Sequence, residues 1–181
     1  MAAFVPPRSR PAPRRVAAAK AAPDAALQRL VRRLQTRGRT VATAESCTGG
    51  GLARALTEPA GASNWFLAGW VVYSDAAKRR DLGVRATTLK GHGAVSEATV
   101  AELARQALRR SGADLAVSIS GIAGPGGAVP GKPVGTVWFG FATRDGRRVV
   151  IETQLKRFRG DRAAVRDAAV RHALRRLYSM A

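Results

Sequence analysis

One cysteine, two histidines, twelve acidic residues and 6% aromatics are all that this 181-residue chain holds of those types. Each shortage closes off a class of protein. The lone Cys47 excludes an intrachain disulfide framework and fits a reducing, cytoplasmic setting. His92 and His172 stand far apart and form no cluster with metal-ligand spacing, so no metal site is expected. No apolar run is long enough to span a bilayer, and the first residues lack the apolar core of a signal peptide. A soluble domain with no membrane partner is the expectation.

The shortage of acid leaves 31 basic side chains against 12 acidic ones, a formal net charge of +19. That balance favours anionic partners, from nucleotides to nucleic acid. Ten of the basic residues fall within residues 1–40, from Arg8 to Arg39, against Asp24 alone. A dedicated nucleic-acid module would interleave basic and aromatic residues in one element. Here the aromatics sit mostly in strand-like runs, so nucleic-acid binding is the weaker reading.

What is present divides the chain in two. Residues 1–23 are rich in Ala, Pro and Arg, with prolines at 6, 7, 11, 13 and 23, and read as a disordered basic tail. Residues 24–181 read as one domain, opened by Asp24 as an N-cap. Leu27, Leu30, Val31 and Leu34 follow helical spacing up to Gly38, and residues 40–44 form a first strand. A short helix over residues 52–56 follows, then a strand over 65–73. A helix opened by Ser96 or Thr99 closes at Gly112. A buried strand over 115–119 precedes two strands, 134–142 and 147–155, joined through Asp145 and Gly146 as a hairpin. A last helix spans about 161–178. This alternation predicts an α/β fold: a three-layer α/β/α sandwich with a mixed, mostly parallel sheet ending in a hairpin.

In such folds ligands sit beyond the carboxyl ends of the strands. Two glycine-rich turns lie at such ends, residues 46–51 and 120–127, and should face one crevice. The first reads Ser-Cys-Thr-Gly-Gly-Gly. A serine on a strand-to-helix turn sits among backbone N–H groups that can hold either a bound phosphate or a developing oxyanion. Both readings stay open on these residues alone. Glu45 reads as structural, and Cys47 as a small packed residue without a histidine partner.

A nucleophilic Ser46 needs a base. His92, in a Gly-His-Gly turn, and His172, in a basic helix, read as structural or solvated. Lys78 has a more suggestive setting. With Ser74 as N-cap, Tyr73 is the residue before the cap and Lys78 the fourth of the helix, positions that meet in a hydrophobic staple. The spacing thus predicts contact between the Tyr73 ring and the Lys78 stem. The first helical turn and burial would both lower the lysine pKa. Read alone, Lys78 is still better taken as an ordinary surface lysine beside Arg79 and Arg80.

Six stretches change that balance. TAESCTGG (43–50), GWVVYSDAAK (69–78), GAVSE (93–97), SISGIAGPG (118–126), KPVGTVW (132–138) and GDR (160–162) together resemble the CinA carboxy-terminal domain family, nicotinamide-nucleotide amidohydrolases. They are collinear with the family and cover about residues 25–178. The resemblance implies hydrolysis of the carboxamide of nicotinamide mononucleotide to nicotinate mononucleotide and ammonia, with no cofactor. It implies Ser46 as nucleophile, Lys78 as base and Tyr73 assisting. Thr48, Gly49, Gly50, Ser120, Gly121 and Arg162 are the implied substrate-binding residues. A stand-alone enzyme and a homo-oligomer, a dimer by preference, are also implied. Two other classes stay in view: a non-catalytic nucleotide-binding regulatory module, and a nucleic-acid-binding protein acting through its basic ends.

Overall fold

The computed structural model describes residues 25–181; the tail and the Asp24 cap expected from sequence lie outside the described residues. The elements run in the order α1 (Ala25–Thr36), β1 (Val41–Glu45), α2 (Gly51–Thr57), β2 (Phe66–Val71), α3 (Asp75–Leu82) and α4 (Ala86–His92). α5 (Glu97–Ser111), β3 (Leu115–Gly121), β4 (Thr136–Asp145), β5 (Arg148–Arg157) and α6 (Arg162–Met180) complete the chain. The sheet order is β2-β1-β3-β4-β5. β1 pairs in parallel with β2 and β3, and the β4–β5 hairpin joins through antiparallel pairs. Four of the five strands therefore run one way and β4 runs against them.

Alternation along the strands builds the three layers. Val41, Leu115, Val117, Ile119, Val137, Phe139 and Phe141 face α1, α2 and α6 and form a core with Leu30, Leu34, Leu52 and Leu177. The opposite face is lined by small residues, Ala42, Ala44, Ala116 and Ala142, against Leu103, Ala104, Ala107 and Leu108 of α5. Small side chains let α5 lie close to the sheet. Ser118 Oγ on β3 donates to the Val100 carbonyl of α5 at 2.6 Å.

Most elements fall where periodicity places them, and the caps follow chemistry. Ser74 and Ser96 accept from the N–H groups of Ala77 and Thr99, and Gly112 ends α5 in the left-handed region. α4 is the exception, absent from the sequence reading. Its seven residues bury only Thr88 and Leu89, too few to mark a helical face. His92, expected in a turn, is its last residue.

His172 packs its ring 4.7 Å from that of Phe139, with Nε2 3.0 Å from Gln154 Oε1. Burial, then Lys156, Arg175 and Arg176, pull its pKa from 6.5 down to about 4. The folded state thus refuses a proton that the unfolded chain accepts. The stability this contributes is present above pH 6.5 and is lost as pH falls towards about 4. His172→Gln should flatten that part of the curve. Melting temperatures of both proteins, measured from pH 7 to 4, should converge on the acid side.

Candidate active site

The carboxyl ends of β1 and β3 lie side by side, and the first turn grows from that junction. Ser46 N–H donates to the Ile119 carbonyl at 2.9 Å, which pins the turn to β3. Gly49 and Gly50 then take φ values of +60° and +88°, a left-handed backbone that residues with a Cβ adopt only under strain. The result is a tight turn with Ser46 largely buried at its start. Gly49 N–H donates to the Ser46 carbonyl and Gly51 N–H to that of Thr48. Those of Thr48 and Gly50 have no acceptor among the described residues.

Glu45 explains why this turn is stable. Its fully buried carboxylate accepts from Leu52 N–H at 3.0 Å and Ala53 N–H at 2.8 Å, the first turn of α2. A carboxylate there satisfies two orphan donors and complements the helix dipole. It also takes two of the N-terminal donors of α2. Glu45→Ala should cost about 2 kcal/mol by leaving both N–H groups buried and unpaired. Chemical denaturation measures this, and Glu45→Gln should recover part of the loss.

Lys78 is no surface lysine. Its side chain is 1% exposed, and Nζ donates to the Tyr73 carbonyl at 3.0 Å. Burial pushes its pKa below the usual 10.5, while Asp75, 3.6 Å from Nζ, pulls the other way. The Cys47 side chain, adjacent in sequence to Ser46, is also within electrostatic reach of the amine. Staple spacing pointed to the Tyr73 ring against the Lys78 stem; the partner of Nζ is instead the Tyr73 carbonyl. The Tyr73 side chain, 57% exposed, turns its hydroxyl to Arg162, whose Nη2 donates to it at 3.0 Å.

Arg162 also donates through Nη1 to the Gly124 carbonyl at 2.8 Å. One guanidinium thus ties the second glycine-rich turn to Tyr73 from the first residue of α6. One helical turn on, Arg166 donates to the Thr48 carbonyl at 3.0 Å, and its buried Nε has no partner. Cys47 feels both arginines, yet burial is the largest influence and pushes its thiol up to about 11, which keeps it protonated and poorly nucleophilic. The two turns, Tyr73, Lys78 and the start of α6 therefore converge at the carboxyl ends of β1 and β3, where the crevice is expected.

Residues 24–181 match the CinA C-terminal domain. The chain belongs to this family. A nicotinamide-nucleotide amidohydrolase, PncC, from Escherichia coli (strain K12) is 54% identical over 145 residues, 80% of this chain and 86% of that protein. The protein of the same name from Pseudomonas putida is 52% identical over 134 residues, 74% of this chain and 81% of its own length. A solved structure of a CinA superfamily protein from Klebsiella pneumoniae superposes with a TM-score of 0.80 at 49% identity, covering 85% of this chain and 94% of that one.

Within this CinA domain the expected site residues divide. Ser46, Thr48, Gly49, Gly50, Tyr73, Lys78 and Arg162 gather at the crevice. Thr48 Oγ1 is buried with no hydrogen-bond partner among the described residues. Ser120 and Gly121 are engaged elsewhere. The Ser120 hydroxyl donates to the Ala94 carbonyl at 2.7 Å, and a Cβ on Gly121 would lie 2.7 Å from Val137 Cγ2. They hold β3 against its neighbours. Arg166 was missed from sequence. Its spacing of four from Arg162 on one helix was the available signal.

Proposed function

We propose that this CinA domain hydrolyses the carboxamide of nicotinamide mononucleotide, releasing ammonia and nicotinate mononucleotide. The names of its relatives support the substrate. The observation that carries the mechanism is the buried Lys78, its pKa lowered by burial, within electrostatic reach of Cys47, the chain neighbour of Ser46. A neutral Lys78 amine takes the proton of Ser46 Oγ as that oxygen attacks the carboxamide carbon. The free N–H groups of the turn, those of Thr48 and Gly50 among them, hold the oxyanion. The C–N bond breaks, and Lys78 returns the proton to the leaving nitrogen, which departs as ammonia. Water then attacks the ester, Lys78 takes its proton, and the proton passes back to Ser46 Oγ as the carboxylate leaves. No cofactor enters the cycle.

Arg162 and Arg166 supply the positive charge for the ribose phosphate, and the Thr48 hydroxyl a further polar contact. Arg162 keeps the Tyr73 hydroxyl at the crevice, so Tyr73 assists in orienting the substrate rather than in relaying the proton. The regulatory-module reading, with phosphate in the Ser46–Gly50 turn, is disfavoured because the Glu45 carboxylate, held on the N–H groups of Leu52 and Ala53, stands at the end of that turn and would repel a phosphate there.

We also propose a cytoplasmic homo-oligomer, a dimer by preference. β2 is an edge strand with Leu67 and Val71 exposed, a surface that a second copy would cover. The test of the activity is direct: purified protein should release ammonia from nicotinamide mononucleotide. Tight binding of that nucleotide without turnover would point to the regulatory module instead.

A further inference from the structure

A second cluster of cations lies away from the crevice. α6 begins with Arg162 at the crevice and runs 19 residues, about 28 Å at 1.5 Å per residue, to Met180. Near that far end Tyr178 joins α1 in lining an open concavity of about 360 Å³ with Arg29, Arg32, Arg33, Thr36 and Arg37. Spacings of three and four put these arginines along one side of α1, and α1 contains no acidic residue.

The arginines differ in what holds them. Arg37 donates to the main-chain oxygen of Ala181 at 2.7 Å. The Arg33 guanidinium lies 5.0 Å above the Tyr178 ring, and its Nε is buried with no hydrogen-bond partner. Arg29 and Arg32 have no carboxylate or other hydrogen-bond partner among the described residues. Like charges gathered this closely repel, and an orphaned guanidinium N–H adds a cost. An anion in the concavity relieves both. Arginine forks match the oxygens of phosphate in pairs.

We propose that this concavity is a second anion site, separate from the crevice, that binds a compact oligophosphate carrying at least two adjacent phosphates. Three guanidinium groups with no carboxylate partner among the described residues, set around one small space, suit clustered charge better than a single phosphate. The volume suits a short phosphate chain. Inorganic tripolyphosphate and the chain of a nucleoside triphosphate share that chemistry.

The experiment is calorimetric titration of the full 181-residue chain with sodium tripolyphosphate, ATP, adenosine and sulfate, with a thermal-shift series alongside. Tripolyphosphate should bind and raise the melting temperature, and should weaken as salt rises. ATP binding with adenosine silent would assign the source to a nucleotide's phosphate chain. Tripolyphosphate binding alone would assign it to the inorganic chain. The triple variant Arg29→Gln, Arg32→Gln, Arg33→Gln should weaken binding by about 100-fold. Its ammonia release without oligophosphate should match wild type. Because Arg33 packs on Tyr178, the double variant Arg29→Gln, Arg32→Gln serves as a control and should weaken binding by about tenfold. Undiminished binding in both variants, or equal affinity for sulfate, would overturn the proposal. So would a 20-nucleotide single strand that binds more tightly than tripolyphosphate and loses affinity in the same variants; that result would give the site to a nucleic-acid backbone.

Discussion

Replacing Ser46 by alanine is expected to lower ammonia release from nicotinamide mononucleotide by about four orders of magnitude or more, with the fold intact. The chemical half of this expectation is loss of the attacking oxygen. The structural half is local. Ser46 is fixed by its main-chain N–H on the Ile119 carbonyl, a bond that alanine keeps. Its hydroxyl has no hydrogen-bond partner among the described residues, so the variant leaves nothing newly unpaired. Substrate affinity should persist, because the arginines and the turn N–H groups remain. Coupled ammonia detection gives the rate, and titration of the variant with the nucleotide gives the affinity. A Ser46→Ala protein that retains most of its turnover would remove the serine from the mechanism.

Lys78→Met should reduce turnover by about 10²- to 10⁴-fold, the range of a positioned base. The same change should leave stability at pH 7 equal or higher, an unusual pairing for a core substitution. A buried amine with a lowered pKa favours its neutral form. Between that lowered pKa and 10.5 the unfolded chain binds more protons than the folded one, so stability rises with pH across this window. Below the window the folded state carries a buried ammonium, relieved in part by Asp75 and the Tyr73 carbonyl. Methionine has similar length and no charge to bury. Activity follows the same titration. Only the neutral amine can accept the Ser46 proton, so the wild-type rate should climb with pH through the Lys78 pKa and then level off. A rate with no rising limb at any pH below 10.5, or a Lys78→Met variant that unfolds easily, would count against the assignment.

The sequence carried more of the fold than of the side-chain roles. The caps at Ser74 and Ser96 were legible because side chain and local backbone decide them together. The layers were legible because alternation and helical spacing agree over long segments. α4 was hidden by a sequence with two buried side chains and a glycine, Gly91, near its end. In the site, staple spacing pointed to the Tyr73 ring on the Lys78 stem, whereas the bond formed is from Nζ to the Tyr73 carbonyl. That choice depends on the extended backbone before the Ser74 cap, which leaves the Tyr73 carbonyl open to Nζ. Ser120, the first residue of a glycine-rich turn, is a substrate-binding residue by family resemblance. Its hydroxyl instead meets Ala94, a contact across 26 positions that no local pattern encodes. Glu45 is the opposite case. It reads as structural from sequence, and the structure adds which two donors it satisfies.

The central claim is that Ser46 Oγ bonds to the carboxamide carbon. The most direct measurement is mass spectrometry of protein quenched in acid during turnover, with the modified peptide sequenced. The account predicts a nicotinate-mononucleotide ester on Ser46 that vanishes in Ser46→Ala. A label on Cys47, or an active enzyme whose quenched peptides carry no acyl group when deacylation has been made rate-limiting, would contradict it.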